Sequence, residues 1–255
     1  MILEAHNISF SYGDRPALRG VDLTFAAGEV VALLGPNGSG KSSLIQSLFG
    51  HLAAGGEIDW FGKPLMSWNR RELARRLAYL PQSPGFESGQ RVVDVLRLGR
   101  SPYWSVFGIE SFRDETIITS VAKQLELTDV LERPMDQLSG GQRQRVFVGR
   151  CLVQEPAALL LDEPNTYLDL KHQVELCLLL RQLANVQSIG VLMALHDLNL
   201  ATAFADRVVL LSQGRVAASG GVEVLDAGLL SSIYGLHMVN ISSDKNRPVF
   251  MPAIV

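Results

Sequence analysis

Residues 35–42 read G-P-N-G-S-G-K-S and match the spacing G-x-x-x-x-G-K-[ST]. Glycines at Gly35, Gly38 and Gly40, with Pro36, Asn37 and Ser39 between them, let successive backbone N–H groups converge on phosphate oxygens. Lys41 has the reach for the β- and γ-phosphates, and the Ser42 hydroxyl is a ligand for Mg²⁺. A glycine-rich structural turn is the plainer reading of such a run. The flanks separate the two: the apolar run VVALL precedes the loop and a helix-like segment, KSSLIQSLFG, follows it. A helix beginning there adds partial positive charge facing an anion. The expectation is a nucleotide site.

The second group is acidic. In AALLLDEPNTYLD, residues 157–169, two carboxylates stand where a buried apolar run ends, and ligands of parallel α/β sheets bind at the carboxyl ends of strands. Neighbouring strand residues point opposite ways, so Asp162 and Glu163 divide the work. Asp162 is assigned to Mg²⁺, through a water, and Glu163 to polarising the attacking water. The alternative is a pair of exposed strand-end acids before a proline.

Gln82 and His196 each follow an apolar run that ends at the same prospective sheet edge. A neutral imidazole can donate to a γ-phosphate oxygen, and a glutamine there can sense Mg²⁺ and the attacking water. By spacing alone each is as readily an ordinary loop residue. A second glycine turn, LSGGQRQRV at 138–146, sets Ser139, Gly140 and Gly141 at the start of a helical stretch, where a hydroxyl and free N–H groups suit another anion. Arg143 and Arg145 behind it are expected to be solvated surface charges.

These residues need a frame. Apolar runs and alternations predict strands within 2–12, 19–35, 56–65, 77–80, 159–161, 190–195 and 207–211. Helical spacing is expected over 41–50, 92–98, 114–125, 142–153, 170–183 and 198–204. Strand–helix alternation implies a mainly parallel sheet covered on both faces, with the helical block as an insertion. With 255 residues the chain can bury a sizeable core. A net charge of −3 supplies no basic field for nucleic acid. Cys151 and Cys177, in apolar stretches, are read as reduced core thiols of a cytoplasmic protein. The first residues show no leader pattern, and no apolar run reaches the ~18 residues of a membrane span.

Together these motifs resemble the ATP-binding cassette (ABC) family of transport ATPases, in the family's order and over nearly the whole chain. Residues 35–42 look like Walker A, with Ser43 beside it, and Gln82 like the Q-loop. Residues 138–142, LSGGQ, look like the family signature, including Ser139, Gly140, Gly141 and Gln142. Residues 159–162 with Glu163 look like Walker B and the catalytic glutamate, Asp169 like the D-loop, and His196 like the switch histidine. Tyr12 matches the aromatic that stacks on adenine. The resemblance implies catalytic roles for Glu163, His196, Lys41 and Gln82, and Mg²⁺ held by Ser42, Gln82 and Asp162. Ser43 stands where threonine is commoner, and Asn165 where threonine usually follows Glu-Pro.

The implied fold class is α/β: a P-loop NTPase (RecA-like) core, an N-terminal antiparallel β subdomain and an inserted α-helical subdomain. Residues 1–82 and 157–235 would form the nucleotide-binding part, 83–156 the helical part with the signature, and 236–255 a tail. In this family two cassettes pair head to tail, so the second glycine turn closes on the partner's ATP. The implied working form is a homodimer beneath two integral-membrane permease subunits, at the cytoplasmic face of the plasma membrane, fed indirectly by a periplasmic or surface substrate-binding protein.

Residues 67–82, 92–103, 162–173 and 195–216 resemble the subgroup that powers uptake of iron–siderophore complexes, haem and cobalamin. An exporter ATPase, a molybdate or metal importer, and a soluble ABC ATPase acting on DNA or ribosomes are the alternatives. Tyr103, Trp104 and Phe107 form either a docking surface for the permease or packing within the helical part.

Overall fold

The computed structural model describes residues 1–104, 111–242 and 247–253. Strand β1 (Leu3–Tyr12) buries Leu3, Ala5 and Ile8, and turns at Gly13-Asp14 into β2 (Arg15–Phe25), which pairs with it antiparallel. Next come β3 (Val30–Leu34), helix α1 (Lys41–Phe49), β4 (Gly55–Trp60) and β5 (Lys63–Pro64). Strands β2, β1, β4 and β5 form a four-stranded antiparallel sheet in that order. A short helix α2 (Arg70–Ala74) leads into β6 (Leu77–Leu80).

Helices α3 (Val92–Leu98), α4 (Phe112–Gln124) and α5 (Gly140–Leu152) follow, and the chain re-enters the sheet as β7 (Ala158–Asp162), directly beside β6. Then come α6 (Leu170–Gln187), β8 (Gly190–Ala194), α7 (Leu198–Phe204), β9 (Arg207–Ser212), β10 (Arg215–Gly220) and α8 (Ala227–Tyr234). A small hairpin, β11 (Met238–Asn240) with β12 (Phe250–Pro252), follows. The main sheet has six strands in the order β10-β9-β3-β8-β7-β6, parallel except for β10.

Strands β3, β7 and β8 are buried at every position, as continuous apolar runs in a sheet covered on both faces must be. Their side chains divide by the two-residue period: Val30, Ala32 and Leu34 join the core under the helical face, while Val31 and Leu33 join the core shared with α1 and the antiparallel sheet. The α/β class with a mainly parallel sheet and an antiparallel β part therefore stands.

Boundaries shift where caps decide them. Helix α4 begins at Phe112 rather than 114 because Ser111 accepts from the Asp114 amide while the Asp114 carboxylate accepts from the Ser111 amide. Helix α5 begins at Gly140, with Ser139 and Gln142 making the same reciprocal cap. Helices α2 and α8, strand β10 and the β11–β12 hairpin lie outside the sequence expectation.

Two polar groups are also placed otherwise than expected, and a third, Arg100, carried no expectation. Arg143 and Arg145 are not solvated surface charges. Arg143 lies along α5 and donates from Nε and Nη2 to the Leu138 carbonyl at 3.1 and 3.0 Å. Arg145 pairs with Glu126 at 3.0 Å and is only one-fifth exposed. Arg100 is buried, 2% exposed, with Nε 2.7 Å from Asp114 and Nη1 donating to the Val153 carbonyl and to Glu155. Its guanidinium lies 3.9 Å from the Tyr103 ring centroid, that of Arg75 lies 5.2 Å from it, and the Tyr103 hydroxyl donates to the Gln154 carbonyl, so Tyr103 packs at the junction of the helical part with the segment after α2. Trp104 beside it is half-buried, and Phe107 lies outside the described residues. Cys151 and Cys177 are buried free thiols, pushed up to about 11 by that burial.

Candidate active site

Strand β3 ends at Leu34, and the loop of residues 35–40 delivers the chain to α1. Gly40 caps that helix at φ +107°, and a Cβ there would stand 2.7 Å from the Ala17 carbonyl oxygen, so only glycine fits. Lys41, 5% exposed, folds back over the loop and donates to the carbonyls of Gly35 at 2.7 Å and Pro36 at 3.2 Å. Burial lowers the Lys41 pKa, against the pull of Glu163 and Asp162. The Ser39 hydroxyl is buried with no hydrogen-bond partner among the described residues.

The loop opens on a cleft of about 460 Å³ lined by Tyr12, Arg15, Asn37, Lys41, Gln82 and Glu163, together with Gly38, Ser42 and Ser43. Tyr12 is 52% exposed, its ring edge-on to Phe10 and its hydroxyl 3.5 Å from that of Ser43. Arg15, with Pro16 and Ala17, lines the rim and is absent from the sequence expectation. Its one signal was a position immediately after the turn that follows Tyr12.

At the end of β7, Asp162 accepts from the Ser42 hydroxyl at 3.0 Å. Burial raises the Asp162 pKa, and the charge of Glu163 adds to that rise; the Ser42 hydrogen bond and Lys41 oppose it. Glu163 follows at φ +54°, 7% exposed, so its side chain leaves the strand in a direction of its own. Its Oε2 accepts from Gln82 Nε2 at 2.8 Å, and its Oε1 lies 2.6 Å from His196 Nε2. The sheet explains this convergence. Leu80 pairs with Leu161 and Asp162 with Ala194, so parallel strands β6, β7 and β8 end at one edge with Gln82, Glu163 and His196 side by side.

The structure thus brings together Lys41, Ser42, Gln82, Asp162, Glu163 and His196. It keeps the second glycine turn apart. Ser139 and Gly140 are exposed, and among the described residues neither they nor Gly141 and Gln142 line the phosphate-loop cleft. Gly140 borders a separate cavity of about 320 Å³ with Gln82, Phe86, Arg143, Gln144 and Tyr167. Asp169 caps α6, accepting from the His172 amide at 2.9 Å and facing its Nδ1 at 2.7 Å. The His172 amide holds the Asp169 carboxyl below its ordinary range.

The donor set fits a nucleoside triphosphate with Mg²⁺. The orphaned Ser39 hydroxyl, the buried Lys41 cation and the amides of α1 suit phosphate oxygens. The hard oxygens of Ser42 and Asp162, held side by side, suit Mg²⁺.

A phosphate loop and acidic strand end in a parallel sheet, with LSGGQ capping the helix before β7, define an ATP-binding, ATP-hydrolysing cassette. The chain belongs to the ABC transporter family, whose model matches residues 18–166.

Among similar proteins, the hemin import ATP-binding protein HmuV of Streptomyces coelicolor is 42% identical over 236 residues, covering 92% of this chain and 83% of that protein. The iron(3+)-hydroxamate import ATP-binding protein FhuC of Bacillus subtilis is 34% identical over 250 residues, covering 97% of this chain and 93% of that protein. Among solved structures, one of a transporter described as of the metal-chelate type, in an inward-facing conformation, aligns with TM-score 0.86 at 27% identity, covering 99% of this chain and 98% of that one. The dimeric bacterial ABC transporter cassette MJ0796 aligns with TM-score 0.76 at 26% identity, covering 87% of this chain and 99% of that one.

Proposed function

We propose that this chain is the ATPase subunit of an importer for haem or an iron–siderophore complex. It works as a homodimer on the cytoplasmic face of the membrane beneath two permease subunits, with a substrate-binding protein delivering the cargo. The names of the similar proteins, for hemin and iron(3+)-hydroxamate import, support this cargo class over cobalamin and over an exporter. Among the described residues no helix is long and apolar enough to cross a membrane, and the proposal assigns the permeation path to other chains. Residues 1–82 and 157–235 form the nucleotide-binding part in this reading, and 83–156 the part that meets the permease.

The observation that carries the hydrolytic assignment is Glu163, held between Gln82 and His196 over the phosphate loop. Tyr12 stacks on the base, residues 35–43 wrap the phosphates, and Lys41 neutralises charge on the β- and γ-groups. Ser42, Asp162 and Gln82 hold Mg²⁺, which when bound neutralises charge developing on the transferred phosphoryl group. Glu163 orients and polarises the attacking water, and His196 donates to the γ-phosphate while facing Glu163. Ser139, Gly140, Gly141 and Gln142 serve the partner's ATP, and Asp169 lies at the junction between the two cassettes.

Glu163→Gln is expected to bind ATP with wild-type affinity and to hydrolyse it about 10²–10⁴-fold more slowly. Nucleotide titration and single-turnover hydrolysis measure the two separately. Wild-type turnover removes Glu163 from the chemistry.

A further inference from the structure

Helix α5 carries one buried polar side chain, and the site as described does not use it. Gln144 is 5% exposed, and its Nε2 donates to the Pro164 carbonyl at 2.7 Å. A buried carboxamide needs such a partner, and this one is the carbonyl of Pro164, the residue immediately after Glu163. Glu163 itself sits at φ +54°, a left-handed conformation that is unfavourable for a non-glycine residue and persists only where neighbours hold it. Within the turn that follows, the Thr166 amide donates to the Glu163 carbonyl at 3.2 Å, and Pro164 has no N–H to add.

The remaining support comes across from α5. A Cβ on Gly140 would stand 3.3 Å from the Tyr167 Cβ, so the first turn of α5 lies directly on the turn that follows Glu163. Gln144 is four residues on, one helical turn along the same face, and reaches the start of that turn. The helix therefore grips residues 164–167 at both ends, at Tyr167 by contact and at Pro164 by a hydrogen bond.

We propose that Gln144 is a positioning residue for hydrolysis: its amide ties the helix behind LSGGQ to the Pro164 carbonyl, next to Glu163, and so helps to set where the Glu163 carboxylate stands between Gln82 and His196. The inference rests on Glu163 as the group that polarises water. Movement of α5 is then transmitted to Glu163 through this buried hydrogen bond together with the contact at Tyr167. Misplacement of a reacting group by 1 Å can cost about 10²-fold, so release of this tie is a kcat effect.

The test uses the full chain with Gln144→Met, of similar length but without a donor, and Gln144→Leu as a second variant. Each is measured for kcat, KM for ATP and melting temperature, alone and combined with Glu163→Gln. The expected result is a kcat about tenfold lower or more, an unchanged KM, a melting temperature lowered by the unpaired Pro164 carbonyl but still well above the assay temperature, and no further loss of kcat when Glu163 is already glutamine. A wild-type kcat overturns the proposal, as do kcat and KM shifting together, or an equal loss in both backgrounds. Failure of both variants to fold also overturns it, since the amide would then serve the fold alone. Glu163→Gln alone separates the two failures: if it is slow while Gln144→Met turns over normally, only the Gln144 assignment falls.

Discussion

Asp162 and Lys41 are buried charges of the nucleotide site, and burial opposes ionisation of both. Asp162 has a folded-state pKa raised above the ordinary 3.8, so its contribution to stability is greatest below that value and is lost as pH rises through the raised one. At neutral pH the buried carboxylate is held for function against the preference of the fold. Asp162→Asn keeps the acceptor for Ser42 and removes the charge. It is expected to raise the melting temperature at pH 7, an advantage that shrinks as pH is lowered toward 4, while Mg²⁺-dependent ATP hydrolysis falls sharply. Calorimetry across pH checks it, and a pH-independent difference contradicts the account.

Legibility in the sequence also divides at this scale. Lys41, Ser42, Asp162 and Glu163 lie in runs whose local spacing carries their chemistry. Gln82 and His196 do not: their place after apolar runs marked them no better than ordinary loop residues, the resemblance to a family gave them their expected roles, and the parallel register of β6, β7 and β8 brings them to Glu163. Gln144 had no signal, because a glutamine on a helix reads as solvated until the element packed against it is known.

At the scale of elements, helices α3, α4 and α5 are joined by polar contacts as well as apolar ones. Arg100, just beyond α3, meets the Asp114 carboxylate on α4 and the Val153 carbonyl at the end of α5. Burial tends to raise the Asp114 pKa, but the Ser111 amide and hydroxyl and the Arg100 guanidinium outweigh it and hold the carboxyl below its ordinary range. Arg100→Met leaves Asp114 buried beside an apolar chain and is expected to cost about 3–5 kcal/mol. Arg100→Met combined with Asp114→Leu should recover much of that loss, as denaturant titration of the three variants will show. A single variant as stable as the wild type contradicts it. Cores and strands were readable from apolar periodicity; this junction was not, since arginine in a helical stretch carries no mark of burial. Arg143 and Arg145 were misjudged for the same reason, their acceptors being a carbonyl at the helix entrance and a glutamate from the preceding turn region. Helices α2 and α8 are too short for periodicity to declare, and α8 depends on Asp226 at its cap.

At the scale of the whole molecule, the two glycine-rich turns stand apart. The phosphate-loop cleft is lined by Lys41, Ser42 and Glu163, while Ser139 and Gly140 are exposed and outside that lining. In the proposed head-to-tail pair each LSGGQ meets the other copy's phosphate loop, an arrangement that the resemblance to the family implies and that spacing alone does not. In the same reading cargo is chosen by other chains, and its trace here is the names of similar proteins. The most direct measurement mixes two inactive homodimers, Lys41→Ala and Ser139→Ala. A heterodimer of these has one site with both defects and one with neither, so mixing is expected to restore ATPase activity to about half the wild-type rate per heterodimer. Activity no higher than in either parent contradicts sites shared between chains.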